Sequence, residues 1–203
     1  DAINIVLAEQ KINMKSDTYN VNKYKPSIID QKYFREFEQT QKMLKAQLFT
    51  QSLNIGEQEH MLQVKLEYRD AYLKNSNYDV VYLSDGAHPS SYSIMTPVKS
   101  RIFALSVQDD IKITPQLQAS FGLRYDHYQY TPELDGTNKF PISYDASKKT
   151  FGKPSWQVGV EYDLTEQHQF GYKIGTGFRA PKVEEVFFEF GKGGANHFMP
   201  NTD

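Results

Sequence analysis

The chain has no cysteine. It therefore offers no disulfide, no thiolate metal site and no cysteine nucleophile, and this lack suits the cytosol, the periplasm or an outer membrane equally. No stretch approaches the roughly 20 apolar residues that a helix needs to cross a bilayer, which excludes a helical membrane protein. Net charge is only −2 over 203 residues, so no overall field attracts nucleic acid. Hydrophobic residues make up 39% and the mean hydropathy is −0.63, a meagre apolar supply for a chain of one or two ordinary domains. There is no internal repeat, low-complexity segment, P-loop, nucleophile elbow or zinc-ligand spacing. No secretory signal precedes the strand-like run Ile3–Leu7, so the chain reads as a mature or cut piece of a precursor.

What is present is alternation. Trp156, Val158, Val160 and Tyr162 alternate with Gln157, Gly159, Glu161 and Asp163. After a tight turn at 164–167, His168, Phe170, Tyr172 and Ile174 alternate with Gln169, Gly171, Lys173 and Gly175. Leu62, Val64, Leu66 and Tyr68 stand against Gln63, Lys65, Glu67 and Arg69, and Leu117 to Tyr125 repeats the scheme. A soluble sheet hides its apolar face under a second layer, and few segments are left here to supply one. The pattern is that of a wall with lipid on one side and water on the other. The single tryptophan contrasts with 14 tyrosines and 13 phenylalanines. Tyr68, Tyr72, Tyr125, Tyr128, Tyr130 and Tyr162 fall near strand ends, as interfacial girdles do.

The periodicity predicts about seven strands, near 2–15, 38–53, 60–74, 99–113 and 117–130, then the pair around Trp156 and Phe170. Connections alternate long and short. Long loops are expected at 75–98, where Asp85-Gly86 and His88-Pro89 are turn signals, and at 131–153. Short turns on one side and long loops on the other are the arrangement of outer-membrane barrels. The expected fold is therefore all-β: a section of a transmembrane antiparallel β-barrel. A bacterial barrel closes with an even number of strands from 8 upward, so residues 1–203 read as a partial barrel domain, without the remaining strands.

Two motifs carry a family resemblance. Gly122-Leu123-Arg124-Tyr125-Asp126 is similar to the GLRYD strand of TonB-dependent outer-membrane receptors. Thr176-Gly177-Phe178-Arg179-Ala180-Pro181 resembles the FRAP box of the haem, haemoglobin, transferrin and lactoferrin receptor branch. The acidic and aromatic run 182–188 follows it. Met199-Pro200-Asn201-Thr202-Asp203 resembles the start of an NPNL-type box, with Met199 in place of its first Asn. The resemblance implies a barrel of about 22 strands with an N-terminal plug that contacts TonB upstream of this chain. It implies a receptor and transporter for iron, not an enzyme. No intrinsic cofactor is expected, and haem enters as transported ligand. Partners would be host haemoglobin or another iron-carrier protein, the TonB complex through the plug, and outer-membrane lipid. Transferrin or lactoferrin is the alternative iron source; a porin, an enzyme barrel or a soluble sandwich is a more distant one.

The resemblance also directs attention to His197, which lies between the two boxes. A loop histidine in that interval supplies an axial imidazole to haem iron in haem receptors, and Phe198 beside it could pack on the porphyrin. A solvated histidine beside a buried Phe is the plain alternative. Phe178, Arg179, Ala180 and Pro181, with Pro200 and Asn201, are family-motif residues. Pro181 suits a first helical turn with Glu184 and Glu185 near its N-terminus, and Arg179 would then face lumen carboxylates. Phe187, Phe188 and Phe190 form either a ligand-contacting surface or packing onto the barrel mouth. His88 is a loop-tip candidate for ligand contact or an ordinary turn residue. Glu67, Asp110, Glu161 and Asp163 would line the lumen with Lys65, Arg69, Arg124 and Lys173 in ion pairs.

Overall fold

The computed structural model describes residues 1–21, 29–50, 52–83, 86–134 and 146–187. Eight strands form one sheet: β1 (Ala2–Val21), β2 (Ile29–Phe49), β3 (Leu53–Ile55), β4 (Gln58–Leu83), β5 (Gly86–Lys112), β6 (Leu117–Pro132), β7 (Lys149–Thr165) and β8 (His168–Gly175). The order is β1-β2-β4-β5-β6-β7-β8, every pairing is antiparallel, and β3 pairs with β4. Apart from β3, which continues past the end of β2 and pairs with β4, it is a meander in which each strand lies beside its neighbour in sequence. A short helix, α1 (Val183–Phe187), follows.

The expected second strand, 38–53, is divided. Its ladder ends at Phe49, and β3 resumes at Leu53 to make a tight hairpin with β4 through Gly56, whose φ of 67° suits glycine. The expected loop at 75–98 is not a loop. β4 and β5 stay paired from Asn75↔Met95 through Leu83↔Gly86, so the two strands form one long hairpin. His88 and Pro89 are not turn residues; they lie in β5 opposite Val81 and Val80. β1 and β2 likewise extend beyond the expected 2–15 and 38–53. β4 and β5, of 26 and 27 residues, far exceed the 9–11 needed to cross a bilayer. The surplus projects as a hairpin from one side of the apolar band. The ladder shifts register between Leu73 and Ser76, and Pro97 sits at this irregularity, where a missing N–H is tolerated.

Register carries the apolar face across the sheet. Ile3, Leu48, Val64, Val107, Leu123 and Trp156 make one row, Ile5, Ala46, Leu66, Leu105 and Tyr125 the next, and Leu7, Leu44, Tyr68 and Phe103 the third. One row further, the same face reads Glu9, Lys42, Asp70, Arg101 and Gln129. The apolar band thus ends abruptly in charge, with Arg101 Nε donating to Asp70 Oδ1 at 3.2 Å. From β6 to β8 the band slides towards the short turns, through Phe121, Val158, Val160, Phe170 and Tyr172. Tilted strands crossing a flat lipid layer require such a slant. A polar exception lies near the turns, where His60 Nδ1 meets Asp109 Oδ2 at 2.8 Å.

Among the described residues no second layer covers this face. Leu123 is 66% exposed, Tyr172 60% and Leu105 39%, while Val64 and Val158 are half-buried only by neighbours in the sheet. Among the described residues the buried apolar cluster lies on the opposite face, where α1 packs.

Candidate functional site

The polar face changes character towards the long-hairpin end. Near the turns it carries Lys112, Gln118 and Glu161 in one row. Further along it carries Lys65, Ser106, Arg124 and Ser155. Beyond these, Ile102, Tyr128 and Phe151 share a row, then Ala71 with Tyr130, then Leu73 with Val98. Tyr128 and Tyr130 therefore do not belong to an outward girdle. They stand an odd number of residues from Tyr125 and point to the inner face, unlike Tyr68 and Tyr162.

The chain leaves the sheet at Gly175 and returns onto this inner patch. Thr176 N donates to the Trp156 carbonyl at 2.8 Å, and Thr176 Oγ1 accepts from Trp156 N at 3.2 Å. Phe178 then meets Tyr128 edge-on at 6.1 Å between ring centroids. The Tyr130 hydroxyl donates to the Pro181 carbonyl at 2.9 Å. Ala180 is buried, and Val183, Val186 and Phe187 close over Ala71, Leu73, Met95, Val98 and Tyr130. A five-residue helix has no stability of its own, so this burial holds it. Phe187 has no exposed surface and packs within this cluster.

Glu185 caps α1. Its Oε2 accepts from Lys182 N at 2.7 Å and its Oε1 from the Arg179 guanidinium at 3.2 Å. This is the reciprocal half of a capping box, with the acidic residue at the third helical position reaching back to the cap. Pro181 accordingly precedes the cap and does not open the first turn. Arg179 is exposed and turns to Glu185 within its own segment, where sequence reasoning had it facing lumen carboxylates. The Lys182 amide first, and the Arg179 guanidinium second, hold the Glu185 carboxyl below its ordinary 4.5. A lowered pKa means that the cap is in place throughout the range above the ordinary glutamate value. Its contribution is lost as pH falls through the lowered one. In a 13C NMR titration the Glu185 carboxyl is expected to show its midpoint below 4.5; a midpoint at or above that value would remove the cap.

Of the other expected site residues, His88 lies in β5. Phe188, Phe190, His197, Phe198, Pro200 and Asn201 lie outside the described residues. Glu67 pairs with Arg69 at 2.8 Å and with Lys45 at 3.8 Å, and Arg124 with Asp126 at 2.6 Å. Asp110 receives the Gln108 amide at 3.0 Å instead of a base. Sequence reasoning missed the apolar patch under α1. Its signal was available: Ala71, Leu73, Val98 and Ile102 break the polar half of the alternation. Among the described residues no group of three His, Asp or Glu could hold a metal.

Known proteins agree with this architecture. Residues 8–203 match the family model described as TonB dependent receptor-like, beta-barrel. The chain is 28% identical over 132 residues to the hemoglobin and hemoglobin-haptoglobin-binding protein of Haemophilus ducreyi, covering 49% of this chain and 14% of that protein. It is 27% identical over 137 residues to the hemoglobin-haptoglobin-binding protein A of Haemophilus influenzae, covering 49% of this chain and 13% of that one. The chain thus spans only a small part of the length of these relatives. The solved open form of the ferric-catecholate import receptor Fiu of E. coli K12 aligns over 80% of this chain and 34% of its own, at 14% identity and a TM-score of 0.43. With the match running over nearly its whole length, the chain belongs to the TonB-dependent receptor β-barrel family.

Proposed function

We propose that this chain forms part of the wall and the extracellular mouth of an outer-membrane receptor that acquires iron as haem from haemoglobin. The observation that carries the reading is the pairing of a bare apolar band with relatives whose names specify haemoglobin and haemoglobin–haptoglobin binding. The projecting β4–β5 hairpin lies beyond the charged end of that band, on the side where host protein would dock. Haem released there would enter the lumen past the α1 clamp. Uptake would draw on TonB through a plug domain, and no covalent catalysis is involved. His197 would ligate the haem iron, with Phe198 against the porphyrin.

Two measurements on the complete receptor test this. Pull-down with haemoglobin against transferrin is expected to recover haemoglobin; recovery of transferrin alone would assign the receptor to the porphyrin-free branch. Haem titration of His197→Ala is expected to lose the wild-type Soret position and to bind at least tenfold more weakly, about 1.4 kcal/mol. An unchanged spectrum and affinity would remove His197 from the site.

A further inference from the structure

Between the charged row at Asp70 and Arg101 and the turn ends at His60 and Ile111, the outward positions of β4 and β5 are apolar except at one pair, His60 and Asp109. His60 Nδ1 lies 2.8 Å from Asp109 Oδ2 on the neighbouring strand. Leu62 stands opposite Asp109 on β4 and Phe121 on β6, and Leu53 of β3 stands opposite His60. A carboxylate set among hydrocarbon side chains is costly unless its oxygens find donors. Here only one of them does. Asp109 Oδ1 has no hydrogen-bond partner among the described residues, although an ionised carboxylate accepts up to about four bonds. Lys112 and Lys173, at this end of the sheet, stand on the inner face and do not compensate it.

The depth of the pair says what it meets. Asp109 lies eight residues down β5 from Arg101. At a rise of about 3.3 Å per residue and a tilt near 40°, that is about 20 Å below the charged row, against an apolar band roughly 25 Å tall. His60 and Asp109 thus sit at the periplasmic edge of the hydrocarbon, where the headgroups of the inner leaflet begin. The Asp109 side chain keeps 27% of its surface exposed. Its terminal torsion is soft, so a small rotation brings the unpartnered oxygen outward. A neutral imidazole that donates from Nδ1 leaves Nε2 as an acceptor, and Nε2 has no partner among the described residues. The pair then offers one negative charge and two open acceptors, with no donor left over.

We propose that His60 and Asp109 form an outward-facing site for a phospholipid of the periplasmic leaflet whose headgroup ends in a primary ammonium. The ammonium supplies what the pair lacks: one positive charge and three N–H donors, for Asp109 and for His60 Nε2 together. The lipid's acyl chains continue along the apolar rows of Leu62, Val64 and Val107. Its phosphate stays in the headgroup layer below.

The test uses the complete receptor in a mild detergent, supplied with phosphatidylethanolamine and phosphatidylcholine in equal amounts. The two headgroups carry the same charge, but the trimethylated one has no N–H. Native mass spectrometry counts the lipids of each kind that stay bound. Wild type is expected to favour phosphatidylethanolamine roughly fivefold, the size of a half-exposed ion pair. D109N should abolish the preference. D110N, which removes the neighbouring carboxylate on the inner face, should keep it. Equal retention of the two lipids by wild type, or a preference that survives D109N, overturns the site. The inference rests on the outward face lying in lipid, and that reading fails by a separate sign: a spin label at Leu62 shielded from dissolved oxygen in the bilayer overturns both. Should D109N fold poorly, as judged by its melting transition, H60L/D109L, which replaces the pair by apolar side chains, is read for the same loss.

Discussion

Leu105→Arg is expected to destabilise the folded barrel by about 2–4 kcal/mol, whereas Gln118→Arg, on the other face, is expected to change it by less than about 0.5 kcal/mol. Leu105 sits in the middle of the apolar band on β5, between Leu66 on β4 and Tyr125 on β6. A guanidinium placed there has only hydrocarbon to solvate it. The end of the band is one row beyond Phe103, so the arginine would have to bend past Phe103 towards Arg101 and Asp70 to find polar company. Gln118 lies between Lys112 and Glu161 on the polar face, where an added cation gains a carboxylate and keeps its water. Urea unfolding of the receptor in lipid vesicles, followed by the mobility difference between folded and unfolded barrel, measures both. Equal effects of the two substitutions would mean that the faces have been assigned wrongly.

Phe187→Ala is expected to release α1 from the inner wall. Truncating a fully buried phenylalanine costs about 3–5 kcal/mol, and Phe187 is fully enclosed. A five-residue helix with one capping carboxylate has no reserve to meet that loss. At roughly tenfold per 1.4 kcal/mol, the open population rises by a hundredfold or more. Hydrogen exchange of the Val183–Phe187 amides should accelerate by that factor, and trypsin should cut after Arg179 and Lys182. The melting of the barrel should scarcely move, because the strand ladders do not pass through α1. Tyr130→Phe is the milder companion. It removes one hydrogen bond to the Pro181 carbonyl, worth about 1 kcal/mol, and leaves the ring packing in place. Unchanged exchange in Phe187→Ala would show that the segment is held by something other than this cluster.

The membrane-crossing part of the fold was legible because alternation is strongest where one face meets lipid and the other water. Val64 with Lys65, and Leu123 with Arg124, announce their faces without any structure. Beyond the charged row at Asp70 and Arg101 the apolar band no longer enforces alternation, which then stops separating strand from loop. Residues 75–83 and 86–94 therefore looked like a loop, although Asp85-Gly86 is the commonest chemistry of a tight hairpin and Val80-Val81-Tyr82 is strand-prone. Tyr128 and Tyr130 were grouped with Tyr125 by composition, when parity alone separates them. The FRAP-like segment was legible as structural. The partner of Arg179 was not, since the choice between Glu185 and a lumen carboxylate is decided by where a five-residue helix packs. No local propensity encodes that packing; it follows from Ala71, Leu73 and Val98, which are remote in sequence and meet only across the sheet.

The central claim is that one face of this sheet touches lipid hydrocarbon. Single cysteines introduced into this chain, which has none of its own, and carrying a nitroxide spin label test it in the bilayer-embedded receptor. Labels at Val64, Leu66, Leu105, Leu123 and Val158 should collide readily with dissolved oxygen and hardly with a water-soluble nickel complex. Labels at the intervening Lys65, Glu67, Ser106, Arg124 and Gln157 should show the reverse. A period of two in that ratio, with its maximum near Leu66 and Leu105, is the expected result. Outward-face labels that are immobile and shielded from both reagents would mean that another protein layer covers them, and would contradict the account.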